Sequence, residues 1–219
     1  HLMRSDWAKR QRPVLINSWE GCYFDFDEAK LLSMAENAKK VGIELFVLDD
    51  GWFGKRDDGT SSLGDWFEYT EKLGGPLSDI INFAHQKGMK FGLWFEPEMV
   101  NPDSDLYRAH PDWAIQTPDE EPTLCRNQLM LDLTRPEVRD YLVNTINKII
   151  QDNQLDYVKW DANRDLAEGY SLNLPQNRQK ELHHRYVLGL YDLFRRIVEA
   201  NPDVLFEACA SGGVSERNT

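Results

Sequence analysis

The sequence predicts an α/β fold, an incomplete (β/α)8 TIM barrel of about six βα units. Short apolar runs alternate regularly with longer amphipathic ones, a pattern typical of strands joined by helices into a parallel sheet. Polar residues follow the predicted strands at their carboxyl ends, the rim from which barrel enzymes draw their catalytic groups. The sequence has no Gly-rich phosphate turn, which disfavours the alternative of an open doubly wound sheet.

Six short apolar runs predict the strands. They span residues 14–16, 44–50, 90–96, 129–133, 155–161 and 204–209. The run over residues 44–50 is apolar without alternation, as expected for a strand that is covered on both faces. Pro97 follows the third run and prevents its continuation as an interior strand, because proline cannot donate to the ladder.

Amphipathic segments with terminal signals predict the helices. Asp27 lies where an N-cap belongs, and the apolar residues behind it recur at helical spacing until Gly42. Pro76 is placed to open a second helix. Residues 134–137 match a capping box that begins a third. Apolar residues between positions 186 and 198 predict a longer helix ahead of the last strand.

The composition of the chain excludes several classes of function. With 25 basic and 37 acidic residues the net charge is −12, which argues against nucleic acid as a partner. The apolar fraction of 41% is typical of globular proteins, and no apolar run approaches the length of a membrane span. Three widely spaced cysteines, Cys22, Cys125 and Cys209, favour a reducing compartment. We therefore expect a cytoplasmic protein with no membrane partner.

Asp161, at the end of the fifth predicted strand, is the first candidate for chemistry. Lys159 lies two residues earlier on the same strand face, where its charge would hold a carboxylate ionised. An ionised carboxylate is what the nucleophile of a retaining glycosidase requires. The residues alone leave a second interpretation open, in which Asp161 caps the next turn and Lys159 is its ion-pair partner.

The second candidate is the pair Asp49 and Asp50, at the end of the second predicted strand. Two adjacent carboxylates before a glycine could hold sugar hydroxyls, bind a divalent metal or begin a turn. A metal site would need further ligands, and three other acidic residues could in principle supply them: Glu96, Glu98 and Asp132. Five tryptophans near the same rim favour a sugar site instead: Trp19, Trp52, Trp66, Trp94 and Trp160.

Four motifs in order resemble glycoside hydrolase family 36, the α-galactosidases of the bacterial cytosolic type. They are VLDDGWFG at 47–54, GLWFEPEMV at 92–100, DYVKWD at 156–161 and CASGG at 209–213. The resemblance implies that Asp161 is the nucleophile of a retaining double displacement, that Asp49 and Asp50 grip galactose hydroxyls, and that Trp94 walls the sugar subsite. It also implies five further substrate contacts, at Arg126, Lys159, Asn163, Cys209 and Gly212. It implies no metal and no cofactor.

From the residues alone, Arg126 is expected to be a solvated surface charge and Cys209 a small core residue. Their assignment to the site therefore depends on the resemblance. The same resemblance implies hydrolysis of terminal α-galactosides such as melibiose and raffinose, with galactosyl transfer as an alternative within the superfamily.

The resemblance also divides the chain. Residues 1–12 are expected to be a tag scar and lead-in, residues 13–213 a partial catalytic barrel, and residues 214–219 a tail outside the family pattern. The family's general acid/base lies in a Trp-Thr-Ser-Asp segment that this sequence lacks. We therefore expect weak or no turnover, the alternative being a non-catalytic fragment that binds sugar weakly. Unpaired strand edges predict self-association into a dimer or larger oligomer.

Overall fold

The computed structural model describes Trp7 and residues 9–210, and within them the chain is an α/β protein. Its strands are β1 (Leu15–Asn17), β2 (Leu45–Leu48), β3 (Lys90–Phe95), β4 (Met99–Val100), β5 (Leu129–Met130), β6 (Tyr157–Trp160) and β7 (Leu205–Ala208). Five of them form one parallel sheet in the order β1-β2-β3-β6-β7. The predictions for residues 1–3 and 214–219, and for Gly212, lie outside the described residues.

The predicted strand over residues 129–133 does not join the parallel sheet, so this prediction is wrong. Only β5 is extended there, and it pairs antiparallel with β4, while β3 pairs directly with β6. The described residues therefore contribute five parallel strands where the sequence predicted six. Both arrangements bury the same apolar side chains, so hydrophobicity alone cannot distinguish a barrel strand from a short ribbon above it.

Helices connect these strands. They are α1 (Trp19–Cys22), α2 (Glu28–Lys40), α3 (Thr70–Leu73), α4 (Leu77–Gln86), α5 (Asp105–Ala109), α6 (Pro136–Asp152) and α7 (Leu182–Ala200). The Asp27 side chain caps α2 by accepting from the Lys30 amide at 2.8 Å, and Pro76 precedes α4, both as predicted. The predicted capping box of α6 is wrong, because the Thr134 hydroxyl donates to Asp132 instead. No helix of the described residues is long and apolar enough to cross a membrane.

The two faces of the sheet pack differently. Side chains such as Phe46, Leu93 and Val158 belong to the main hydrophobic core, together with the apolar faces of the helices. Alternate side chains point to the other face, where Val47 and Tyr157 belong to a second, smaller cluster with Trp7, Leu45 and Leu205. At the carboxyl ends of the strands this second face becomes polar, and the candidate site lies there.

Candidate active site

A cavity of about 580 Å³ lies at the carboxyl ends of the sheet strands. Eight of the nine residues predicted for the site line it: Asp49, Asp50, Trp94, Arg126, Lys159, Asp161, Asn163 and Cys209. The ninth, Gly212, lies outside the described residues. The parallel register explains this convergence, because Trp94 pairs with Lys159 and Lys159 with Glu207 on adjacent strands. Residues far apart in sequence are therefore neighbours at one rim.

Asp161 is buried at this rim, with both carboxylate oxygens held by hydrogen bonds. The Trp94 indole N–H donates to Oδ2 at 3.1 Å, and the Ala162 amide donates to Oδ1 at 2.9 Å. The Cys209 thiol also hydrogen-bonds to this carboxylate; burial, followed by the negative charge of Asp161, raises the pKa of that thiol. A neutral thiol can donate to the carboxylate, so three groups fix the orientation of Asp161.

The Lys159 ammonium pairs with Asp49 and not with Asp161, the ion-pair partner that one of the two sequence interpretations gave it. Its Nζ lies 2.8 Å from Oδ2 of Asp49, on the neighbouring part of the rim. Burial alone would lower the pKa of Lys159, but the charge and hydrogen bond of Asp49 outweigh this effect and raise it. Asn17 also donates to Oδ2 of Asp49, at 2.5 Å. With the Asp50 amide, which donates to Oδ1 at 3.0 Å, three donors fix Asp49, and its remaining lone pairs can accept hydroxyl groups of a ligand.

Asp50 is clamped by Arg56. The guanidinium Nε lies 2.5 Å from Oδ1 and Nη2 lies 2.9 Å from Oδ2, which is a bidentate pair. Burial raises the pKa of the Asp50 carboxyl, and the charge and hydrogen bonds of Arg56 act in the opposite direction. Both side chains are almost fully buried, so the pair is held away from solvent screening.

Arg126 lies on a tight turn above the cavity. Residues 125 and 128 exchange backbone hydrogen bonds, and Arg126 and Asn127 between them have φ of 55° and 59°. These values correspond to a type I′ hairpin turn, a conformation that arginine adopts only when its surroundings impose it. Arg164 donates to the Gln128 carbonyl at 2.6 Å and thereby helps to hold the turn.

Glu96 lies beneath this turn and is 1% exposed. Its Oε1 accepts from the Asn163 amide at 2.6 Å and its Oε2 accepts from the Gln128 side chain at 2.9 Å. Burial, and after it the negative charge of Asp161, raise the pKa of Glu96 to about 7. Because both oxygens are engaged by the protein, Glu96 serves to place Asn163 and Gln128 at the cavity wall.

The tryptophans divide between the site and the core. Trp19 and Trp94 line the cavity, as the sequence interpretation required. The other three are buried in the hydrophobic core and do not line the cavity, which corrects that interpretation: Trp52, Trp66 and Trp160. Their large rings fill the space between the sheet and the loops above it, where burial of aromatic area stabilises the fold.

The acidic residues of the metal-site alternative are engaged elsewhere. Glu98 accepts from the Trp160 indole and the Tyr186 hydroxyl, and Asp132 accepts from Thr134 and Ser171. Among the described residues, no group of three or more His, Cys, Asp and Glu side chains is arranged to hold a metal ion.

Arg56 and Gln128 are among the residues that line the cavity, and the sequence analysis did not predict them. Arg56 follows Asp50 by six residues within a loop, and no periodic pattern links the two positions. Gln128 lies two positions after Arg126, on the turn that the residues alone assigned to the solvated surface. Neither position carried a signal in the sequence that distinguishes it from an ordinary loop residue.

Comparison with known proteins decides the family. The model of the melibiase family matches residues 1–218. The chain belongs to the melibiase family. An α-galactosidase of Lactobacillus acidophilus is 50% identical to this chain over 212 residues, and AgaA of Geobacillus stearothermophilus is 48% identical over 212 residues. Each alignment covers 97% of the chain but 29% of the relative, so the chain spans less than a third of their length.

Solved structures give the same relation. The crystal structure of the α-galactosidase from Lactobacillus brevis matches with a TM-score of 0.92 and 56% identity, over 94% of this chain and 28% of that one. The GH36 α-galactosidase AgaA matches with a TM-score of 0.95 over 97% of this chain and 30% of its own chain. AgaA variants have been crystallised with 1-deoxygalactonojirimycin, stachyose and raffinose. The match shows a curled parallel sheet, a partial barrel.

Proposed function

We propose that this chain forms the galactose-binding part of a retaining α-galactosidase that acts on terminal α-galactosides such as melibiose, raffinose and stachyose. One observation carries the proposal: eight residues that the sequence assigned to a galactose site converge on one cavity, around a buried carboxylate held by two N–H donors. Raffinose and stachyose are included because variants of AgaA, which is 48% identical, have been crystallised with these sugars.

Each residue has a role that follows from its geometry. Asp161 attacks the anomeric carbon, and the Trp94 and Ala162 N–H groups hold the attacking oxygens in place. Asp49, fixed by Lys159, and Asp50, fixed by Arg56, accept hydrogen bonds from galactose hydroxyls. Three more lining residues contact the sugar, namely Arg126, Asn163 and Cys209. For Gly212, which lies outside the described residues, a sugar contact rests on the family resemblance alone. A retaining mechanism also needs an acid/base carboxyl about 5–5.5 Å from the nucleophile.

Covalent trapping tests this function directly. A fluorinated galactosyl fluoride has a leaving group that needs no protonation, so it reports on the nucleophile without the acid/base. We expect one galactosyl adduct per chain by intact-protein mass spectrometry, located on Asp161 by peptide mapping. The Asp161→Asn variant is the matched control and should form none. An adduct on another residue, or equal labelling by the glucosyl analogue, contradicts the proposal.

We further propose a cytoplasmic location and self-association. The described cysteines Cys22, Cys125 and Cys209 are free thiols, which suits a reducing compartment. Among the described strands, β1 and β7 each pair on one side, and an exposed strand edge favours pairing with another chain. Light scattering on a size-exclusion column tests assembly, and a species of 25.5 kDa at micromolar concentration contradicts it.

A further inference from the structure

Asn101 is a fully buried amide, and its side chain makes four hydrogen bonds. Its Oδ1 accepts from Arg56 Nη1 at 3.0 Å and from the Leu63 amide at 2.8 Å. Its Nδ2 donates to the Asn127 carbonyl at 2.7 Å and to the Gly59 carbonyl at 3.3 Å. An asparagine amide has two acceptor and two donor positions, so every one is used.

The main chain of Asn101 is anchored as firmly as its side chain. Its amide donates to the Leu63 carbonyl at 2.9 Å, and its carbonyl accepts from the Ser104 hydroxyl at 2.8 Å. The residue therefore has little freedom to follow its partners. The partners are instead held to it.

The two halves of this amide reach two different parts of the cavity. The acceptor half holds Arg56, whose other nitrogens clamp Asp50. The donor half holds the carbonyl of Asn127, the residue after Arg126 in the type I′ turn. Because φ is positive at both central residues, this turn needs an external tether to persist.

We propose that Asn101 is a positioning residue that sets the distance between Asp50 and Arg126, and so the width of the cavity for a galactose unit. The identity of the ligand rests on the proposed function. The positioning of Asp50 and Arg126 by Asn101 rests on the hydrogen bonds alone. It predicts that loss of the donor half releases the Arg126 turn while the clamp on Asp50 remains.

The substitution Asn101→Asp separates the two halves in the full chain. An aspartate carboxylate can still accept from Arg56 and from the Leu63 amide. Its second oxygen is also an acceptor, so it cannot donate to the carbonyls of Asn127 and Gly59. The first measurement is the rate of trypsin cleavage after Arg126, which requires local opening of the turn. We expect cleavage there to become about tenfold faster in the variant. The second measurement is the dissociation constant of 1-deoxygalactonojirimycin by calorimetry, which we expect to increase about tenfold.

Controls separate positioning from general destabilisation. Asn201→Asp is the matched control. Asn201 is another buried amide, directly after α7, and it donates to the Asn147 side chain and to the Ile197 carbonyl. This substitution should leave cleavage after Arg126 unchanged. If Asn101→Asp does not fold, Asn101→Ser is neutral and too short to reach all of its partners, and it gives the same two readings.

The outcomes are distinguishable. Faster cleavage after Arg126, selective over other Lys and Arg sites, supports the positioning role. Unchanged cleavage, or a parallel rise at all sites, overturns it. If the unaltered chain fails to bind the iminosugar, the proposed function fails, while the cleavage rates still decide the role of Asn101.

Discussion

Removal of the Arg56 guanidinium is the perturbation with the largest expected effect on this fold. The side chain is 2% exposed and forms a bidentate pair with Asp50, and its third nitrogen donates to the Ser61 carbonyl and to Asn101. Arg56→Ala leaves the Asp50 carboxylate buried without its cationic partner. Loss of one member of such a pair costs about 3–5 kcal/mol of unfolding free energy. For a chain of this size the melting temperature should fall by roughly 6–20 °C.

The same variant has a defined pH dependence. Burial raises the pKa of Asp50, and removal of the opposing Arg56 charge raises it further above its value in the unfolded chain. The native state of the variant then binds more protons than the unfolded state, so its stability rises as the pH falls. The difference in unfolding free energy between wild type and variant should therefore narrow as the pH falls.

Urea unfolding followed by tryptophan fluorescence measures both effects. The double variant Arg56→Met with Asp50→Asn removes both charges and should recover much of the lost stability, because a neutral pair carries no uncompensated charge. A loss below about 1 kcal/mol in Arg56→Ala, or a loss that is independent of pH, would refute the reasoning.

Three further substitutions test other parts of the structure. Trp94→Phe keeps an aromatic ring but removes the donor to Asp161; trapping by the fluorinated galactosyl fluoride should slow about 10–100-fold by mass spectrometry. Gly189→Ala places a methyl group 2.1 Å from the Leu133 carbonyl oxygen, and calorimetry should show a loss of roughly 1–3 kcal/mol. Asp156→Asn should lower the urea midpoint at neutral pH, and this loss should vanish in acid.

The sign of the Asp156 prediction follows from its partners. Burial would raise the pKa of this carboxyl, but hydrogen bonds from Lys90, the Phe91 amide and His85 outweigh it and lower the pKa. Its contribution to stability is present above the unfolded pKa of about 3.9 and is lost as the pH falls through the lower folded pKa. Equal stability of the two proteins at neutral pH contradicts the prediction.

The Gly189 prediction has a matched control, and both remaining predictions have an outcome that contradicts them. Gly169→Ala adds a methyl group with nothing within 4 Å and should leave the melting temperature unchanged. An increase in stability of Gly189→Ala, as helix propensity alone would give, contradicts the predicted clash. For Trp94→Phe, a trapping rate equal to that of the wild type means that the indole N–H does not assist Asp161.

Local chemistry in the sequence was enough to predict most elements of the fold. Asp27 caps α2 because an aspartate side chain can reach the amide three residues on, whatever the rest of the chain does. Pro76 precedes α4 because its fixed φ and missing N–H suit a helix start. The strand ends at Asp49 and Asp161 followed from the change from apolar to polar residues.

Only the tertiary structure decided how these elements pair and which partner each charge takes. The apolar run at 129–133 satisfies its burial in a ribbon with β4 as well as it would in a barrel, so sequence could not place it. Lys159 pairs with Asp49 across 110 positions, because parallel register brings β2 and β6 to one rim. Ion pairing depends on distance in space, and spacing along one strand supplies that distance only for neighbours on the same face.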